Sequence, residues 1–137
     1  MIASGSEGIR DISQTDPEPT RQLRLRLKNM CILGISFYSA GFTVVLDDII
    51  IGDRWEHLLE DLEGTPFSLV VLAPSLESID QRDRNRDKRL IGTEWARHLN
   101  TELRTTMSDK GIWIESSGQS PEETVDQILR SLPKQIV

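Results

Sequence analysis

F-T-V-V-L-D-D, residues 42–48, is the stretch that decides the fold predicted for this chain. Its first five residues are apolar or β-branched, which favours a strand covered on both faces, as in a parallel sheet. The strand ends in two adjacent carboxylates, Asp47 and Asp48. Because ligands of open α/β sheets bind beyond the carboxyl ends of the strands, this pair marks the predicted functional edge.

Predicted strands and helices alternate along the rest of the chain. Apolar runs predict further strands at 67–72 and 112–114, and apolar residues three and four positions apart predict helices around them. Two of these helices begin with capping residues, Ser75 in one case and Ser120 followed by Pro121 in the other. We therefore predict an α/β fold in which helices flank a parallel sheet.

Composition suggests how the chain is divided. Residues 1–19 are rich in Ser, Gly, Asp and Pro, so we predict a loosely ordered N-terminal arm. Residues 20–137 are expected to form one α/β domain. We expect its first helix to end at Gly41, a left-handed cap, and the helix after the Asp pair to have Asp53 as its N-cap.

Charge and hydropathy exclude several classes of protein. The formal net charge of −6 disfavours nucleic acid or an anionic membrane as the main partner. No apolar run reaches the length of a membrane span, and the first residues do not have the pattern of a signal peptide. The single cysteine, Cys31, cannot form an intrachain disulfide. We therefore expect a cytoplasmic protein without nucleic-acid or membrane partners.

The Asp pair is the first candidate for chemistry. Adjacent residues of a strand point to opposite faces, so at most one of Asp47 and Asp48 aims into a site while the other caps or orients. A carboxylate at this position could bind magnesium through water or accept the proton of an attacking hydroxyl. The alternative is that a strand leaving the core simply ends in turn-forming residues.

Arginine is concentrated in Q-R-D-R-N-R-D-K-R, residues 81–89. Helical spacing places Arg82 and Arg86 on one face, with Arg89 close by. Guanidinium groups stay charged and donate in a planar fork, which suits phosphate. The alternative is a solvated helix whose arginines pair with the neighbouring aspartates.

Together these stretches resemble the P-loop phosphotransferases grouped with chloramphenicol phosphotransferase-like small-molecule kinases. The resemblance runs along nearly the whole chain. Besides the arginine segment, it rests on P-T-R-Q-L-R-L-R at 19–26, A-G-F-T-V-V-L-D-D at 40–48, V-V-L-A-P-S-L-E at 70–77 and G-I-W-I-E-S-S-G-Q-S-P-E-E-T-V at 111–125. It implies a P-loop kinase-like fold that uses ATP and Mg²⁺ to phosphorylate a hydroxyl of a small molecule.

The resemblance also implies roles for individual residues. Asp47 and Asp48 would position magnesium or the acceptor hydroxyl. The other implied site residues lie in a lid over the phosphates and in a loop near the nucleotide base: Arg82, Arg86, Arg89, Ser116, Ser117 and Gly118.

In one respect the sequence departs from that family, because it contains no phosphate-binding G-x-x-x-x-G-K-[ST]. We therefore expect an N-terminally truncated fold that lacks about one β-α-β unit, and impaired activity of this chain. The alternative hypothesis is a non-catalytic remnant or interaction subunit, which would form a homodimer through an exposed sheet edge. The acceptor stays open, because the loops that select it vary within a fold.

Overall fold

The computed structural model describes residues 17–85 and 92–133. This part of the chain forms an α/β fold with parallel strands, as predicted from the sequence. Its elements, in chain order, are α1 (Pro17–Ser39), α2 (Asp53–Asp61), β1 (Val70–Leu72), α3 (Leu76–Arg84), α4 (Thr93–Thr106), β2 (Ile112–Ile114) and α5 (Pro121–Ser131). The chain divides into two compact units, Met1–Pro66 and Phe67–Val137. None of the described helices is both long and apolar enough to cross a membrane.

The core of the first unit lies between α1 and α2. Leu27 and Cys31 are four residues apart on α1, so they share a face, and both are fully buried. They pack against Leu58 and Leu62, which lie in α2 and directly after it. Burying a leucine side chain contributes about 1.5–3 kcal/mol, so this contact is a main source of stability for the helix pair.

Helix α1 begins at Pro17, three residues before the predicted start of the domain at residue 20. Proline fits the first turn because an amide there would have no partner within the helix. Glu18 follows and accepts a hydrogen bond from Arg21 at 2.9 Å. Beyond the helix, Gly41 adopts a φ of 91°, the left-handed conformation expected of it. The rest of the predicted arm, residues 1–16, lies outside the described residues.

The strand predicted at 42–46 does not form a ladder within the described chain. Residues 42–50 are non-helical, and the sheet consists of β1 and β2. Leu46 packs against the α1–α2 core, whereas Val45 is 88% exposed. The expectation that both faces would be covered is therefore wrong for this segment. An apolar, β-branched pattern favours extended backbone, but a strand also needs a partner for its N–H and C=O groups.

In the second unit, β1 and β2 pair in parallel. The register places Val70 opposite Ile112 and Leu72 opposite Ile114. The Ala73 amide extends the pairing by donating to the Ile114 carbonyl at 2.9 Å. Strand β1 is shorter than the predicted 67–72, but its carboxyl end is where the sequence placed it. Because the strands are parallel, the segments that follow them start at the same edge of the sheet.

Side-chain capping explains where two of the helices begin. The Ser75 hydroxyl accepts the Ser78 amide at the start of α3, and Ser120 forms a reciprocal capping box at the start of α5, both as predicted. The prediction of Asp53 as N-cap of α2 is wrong by one residue. Gly52 occupies that position with a φ of 54°, a conformation that favours glycine, and Asp53 is the first helical residue.

Candidate functional site

The two adjacent carboxylates of the first unit have different environments. The Asp48 side chain is 7% exposed and pairs with the guanidinium groups of Arg26 and Arg54. Asp47 is exposed, and no hydrogen bond or ion pair among residues 17–85 and 92–133 involves its side chain. Successive residues of extended backbone point to opposite faces, which is why one carboxylate is inside and its neighbour outside.

Both oxygens of Asp48 are engaged. Arg26 Nη2 donates to Oδ1 at 2.7 Å, and Arg54 Nη2 donates to Oδ2 at 2.6 Å. The main-chain amide of Ile49 also donates to Oδ1, at 2.8 Å. Two guanidinium groups therefore share one carboxylate, in a place where water has little access to it.

Arg54 also binds the backbone on either side of this ion pair. Its Nε donates to the Ile49 carbonyl at 2.9 Å, and its Nη1 donates to the Leu23 carbonyl of α1 at 3.4 Å. Burial lowers the pKa of the Arg54 guanidinium from its ordinary value, and the charge of Asp48 offsets part of that effect. An arginine nevertheless stays charged at neutral pH, so the contact is an ion pair.

In the second unit, the two segments that leave the sheet are tied together at its carboxyl edge. The Ser75 amide, at the start of α3, donates to the Ser117 hydroxyl at 2.7 Å. That hydroxyl in turn donates to Glu115 Oε1, which also accepts the Ser117 amide at 3.0 Å. These donations, the hydroxyl first, hold the pKa of Glu115 below its ordinary value. The predicted base-binding loop is therefore fixed to the start of α3.

Arg82 reaches the same loop from α3. Its Nη2 donates to the Ser116 carbonyl at 2.6 Å, and Ser116 is buried. Gly118, in the same loop, is exposed. The other two arginines of the predicted lid, Arg86 and Arg89, lie outside the described residues.

The structure thus brings some of the predicted residues together. Arg82, Ser116 and Ser117 form one cluster in the second unit, and Asp47 and Asp48 lie in the first. The cluster in the second unit forms because the parallel strands β1 and β2 end at the same edge of the sheet, an arrangement that the sequence pattern indicates.

Sequence reasoning assigned no individual role to Arg26, Arg54 or Glu115, although Arg26 and Glu115 lie in the stretches that carry the family resemblance. Arg26 lies 22 residues before Asp48, and pairing over such a distance leaves no signal in one sequence. Arg54 follows Asp48 by six residues, and that spacing is the only local indication of their contact.

The residues present fit a magnesium ion only in part. The described ranges contain no group of three or more His, Cys, Asp or Glu that could hold a metal. Magnesium in phosphotransferases is commonly held by one or two carboxylates together with the substrate phosphates. Asp47 has both oxygens available for such a role, directly or through water. Asp48 does not, because Arg26 and Arg54 occupy its oxygens.

Comparison with known protein families gives a match along most of the chain. A protein-family model described as chloramphenicol phosphotransferase-like protein matches residues 3–133, which include every candidate site residue. Neither the curated proteins nor the solved structures contain a match to the chain.

Proposed function

The chain belongs to the chloramphenicol phosphotransferase-like family. From this we propose that it is an ATP-dependent phosphotransferase acting on a hydroxyl of a small molecule, with activity impaired because its sequence contains no phosphate-binding G-x-x-x-x-G-K-[ST]. The family match over residues 3–133 is the observation that carries the proposal. The α/β fold with parallel strands supports it, since kinases of the P-loop class share that architecture. We place the reaction in the cytoplasm.

A carboxylate of the Asp pair serves the acceptor in this proposal. Asp47 or Asp48 orients the attacking hydroxyl and accepts its proton, as a positioned carboxylate does in general-base catalysis. ATP would supply the phosphoryl group, and a bound magnesium ion would offset the charge of its phosphates. Of the pair, Asp47 is the carboxylate that the described residues leave accessible to the acceptor hydroxyl.

Arginines steady the transferred group. Arg82 and Arg86 offset the negative charge on the phosphoryl group as it moves, and Arg89 contributes to holding the nucleotide. A guanidinium has five N–H donors, and the contact of Arg82 with Ser116 uses one nitrogen, so donors remain for phosphate. The loop of Ser116, Ser117 and Gly118 borders the nucleotide base.

Phosphate transfer from radiolabelled Mg·ATP tests the proposal, with chloramphenicol as the first acceptor. We expect labelled acceptor to accumulate slowly, because the phosphate-binding loop is absent from the sequence, and only when magnesium is present. Arg82→Ala and Arg86→Ala should each lower kcat by orders of magnitude, because both remove charge from the transition state. Arg130→Ala, a change on the exposed surface of α5, serves as the matched control and should leave kcat unchanged. Near-normal kcat in both lid variants would contradict their assignment.

A thermal melt with and without Mg·ATP tests nucleotide binding separately. A ligand at about 100 times its dissociation constant adds about 2.7 kcal/mol, which raises Tm by several degrees in a small domain. A rise in Tm without transfer to chloramphenicol would support a kinase with a different acceptor. No rise together with no transfer would overturn the proposed function.

A further inference from the structure

We propose that Arg54 is a positioning residue, which holds Asp48 inside the first unit and thereby leaves Asp47 as the carboxylate that faces the acceptor. This inference rests on the proposed function and deepens it by choosing between the two carboxylates. It also gives a role to an arginine outside the arginine-rich segment.

The first step is the contact geometry of Arg54. Its guanidinium binds the Asp48 carboxylate at 2.6 Å and the Ile49 carbonyl at 2.9 Å. Through Nη1 it also donates to the Leu23 carbonyl of α1. Arg54, a residue of α2, therefore holds both the Asp48 side chain and the Ile49 main chain. These contacts fix the position of the two residues and the direction in which the Asp48 side chain points.

The second step is burial. The side chains of Asp48 and Arg54 are 7% and 14% exposed, whereas that of Arg26 is 36% exposed. A carboxylate as buried as that of Asp48 needs a cation beside it. Removal of Arg54, the more buried of its two partners, leaves the carboxylate with too little compensation for its lost hydration. Arg54 is consequently the partner on which the inward position of Asp48 depends most.

The third step links Asp48 to Asp47. Because neighbours on extended backbone face opposite ways, fixing one side chain inward fixes the next one outward. If Asp48 were released, the junction could rotate and either carboxylate could reach solvent. Arg54 therefore acts on the reaction through Asp48, by deciding which carboxylate is presented.

Carboxyl labelling tests this arrangement without requiring turnover. The full chain is treated with a water-soluble carbodiimide and glycine ethyl ester, and the modified carboxylates are located by tandem mass spectrometry. In the wild type we expect label on Asp47 and protection of Asp48. In Arg54→Met we expect labelling of Asp48 to increase several-fold.

Asp61 provides an internal control for folding. It pairs with Arg24 and its side chain is 9% exposed, so it should stay protected in both proteins as long as the helix pair is intact. Label on Asp48 in the wild type, or unchanged protection of Asp48 in a folded Arg54→Met, would overturn the proposal.

If Asp61 also becomes labelled, the Arg54→Met variant has unfolded, and labelling of Arg54→Lys decides instead. Lysine keeps the charge but not the planar fork, so we expect intermediate labelling of Asp48 with Asp61 protected; protection equal to the wild type would overturn the proposal.

Kinetics with Mg·ATP and chloramphenicol separate positioning from mere stability. We expect Asp47→Asn and Arg54→Met to lower kcat while the KM for ATP stays near the wild-type value, and Arg54→Lys to restore part of kcat. A purely structural role would reduce the folded fraction and leave kcat per folded molecule unchanged.

The labelling and kinetic results can fail separately. If labelling follows the prediction but the wild type transfers no phosphate and its Tm does not rise with Mg·ATP, the arrangement of the two carboxylates stands and the proposed function fails. If the wild type is active and Asp47→Asn has normal kcat, the assignment of Asp47 fails alone.

Discussion

Arg24 of α1 donates from both Nη atoms to the carboxylate of Asp61 at the end of α2, and this paired contact joins the two helices of the first unit. The Asp61 side chain is 9% exposed. The hydrogen bonds from Arg24 lower the pKa of Asp61, while burial opposes that shift. The pair therefore contributes to stability only while Asp61 is ionised.

We predict that Asp61→Asn destabilises the chain by roughly 2 kcal/mol at neutral pH, since it removes a charged hydrogen-bond acceptor. A carboxyl whose pKa is lower in the folded state contributes fully above its unfolded pKa, about 3.9. That contribution is lost as the pH falls through the folded pKa. Urea unfolding over a pH series should show the two proteins converging below about pH 4.

Glu60→Gln is the matched control for this prediction. Glu60 is also near Arg24, but its carboxylate lies 3.8 Å away and its side chain is 69% exposed. Exposed ion pairs contribute between about 0 and 1 kcal/mol, so we expect little change in the free energy of unfolding. An equal loss in both variants would show that the short, buried contact has no special role.

Gly111, just before β2, is predicted to be intolerant of a side chain. Its φ is 74°, and a Cβ would lie 2.9 Å from the Leu69 carbonyl oxygen. Strain of this kind costs on the order of 1–3 kcal/mol, so Gly111→Ala should lower the urea midpoint clearly. Gly118→Ala is the control, because its Cβ would meet open space and its φ is not left-handed. Similar midpoints for the two variants would contradict the prediction.

Local signals predicted much of the fold. Ser75 and Ser120 cap helices as expected because a cap depends on residues within one turn. The parallel pairing of β1 and β2 also follows from their apolar patterns. The segment 42–46 shows the limit: its residues favour extended backbone, but a ladder depends on a second strand that the segment itself cannot specify.

The candidate site was predictable to a smaller extent. Ser117 lies near the start of α3 because β1 and β2 end at the same edge of the sheet, and this proximity could be predicted. The specific hydrogen bond from the Ser75 amide to the Ser117 hydroxyl could not be predicted from the sequence pattern. The ion pairs were not predictable, because Arg24 and Asp61 are 37 residues apart. The spacing of charges along one helix predicts ion pairs within that helix. Ion pairs between two helices depend on how the helices pack, which the spacing does not show.

The capping box of α5 gives a third prediction. The Ser120 amide donates to Glu123 Oε2 at 2.7 Å, and the Glu123 amide donates to the Ser120 hydroxyl at 3.2 Å. Ser120→Ala should cost about 1 kcal/mol in urea unfolding and speed hydrogen exchange at the Glu123 amide. Ser131→Ala, at the last residue of α5, removes only an exposed bond to a carbonyl and should change neither quantity. Unaltered exchange in Ser120→Ala would refute the role of the cap.

The Cys31 thiol is predicted to be unreactive in the folded chain. The residue is fully buried, and that burial, together with the charge of Asp61, raises the pKa of the thiol. Because the thiolate is the reactive form, a thiol reagent such as Ellman's should react slowly in buffer and faster by orders of magnitude in urea. Rapid reaction under native conditions would mean that the α1–α2 core opens readily.

The extended segment supplies the last prediction, which compares two neighbouring residues. Leu46 packs on the α1–α2 core, and a Cβ on Gly34 would lie 3.1 Å from its Cδ2. Leu46→Ala should therefore destabilise the chain by about 2–3 kcal/mol, near the lower end of the cost for a core leucine, because Leu46 is only partly buried. Val45 is 88% exposed, so Val45→Ala should change the free energy of unfolding by less than about 0.5 kcal/mol. An equal loss of stability in both variants would contradict the prediction, because it would mean that the Val45 side chain is covered in solution.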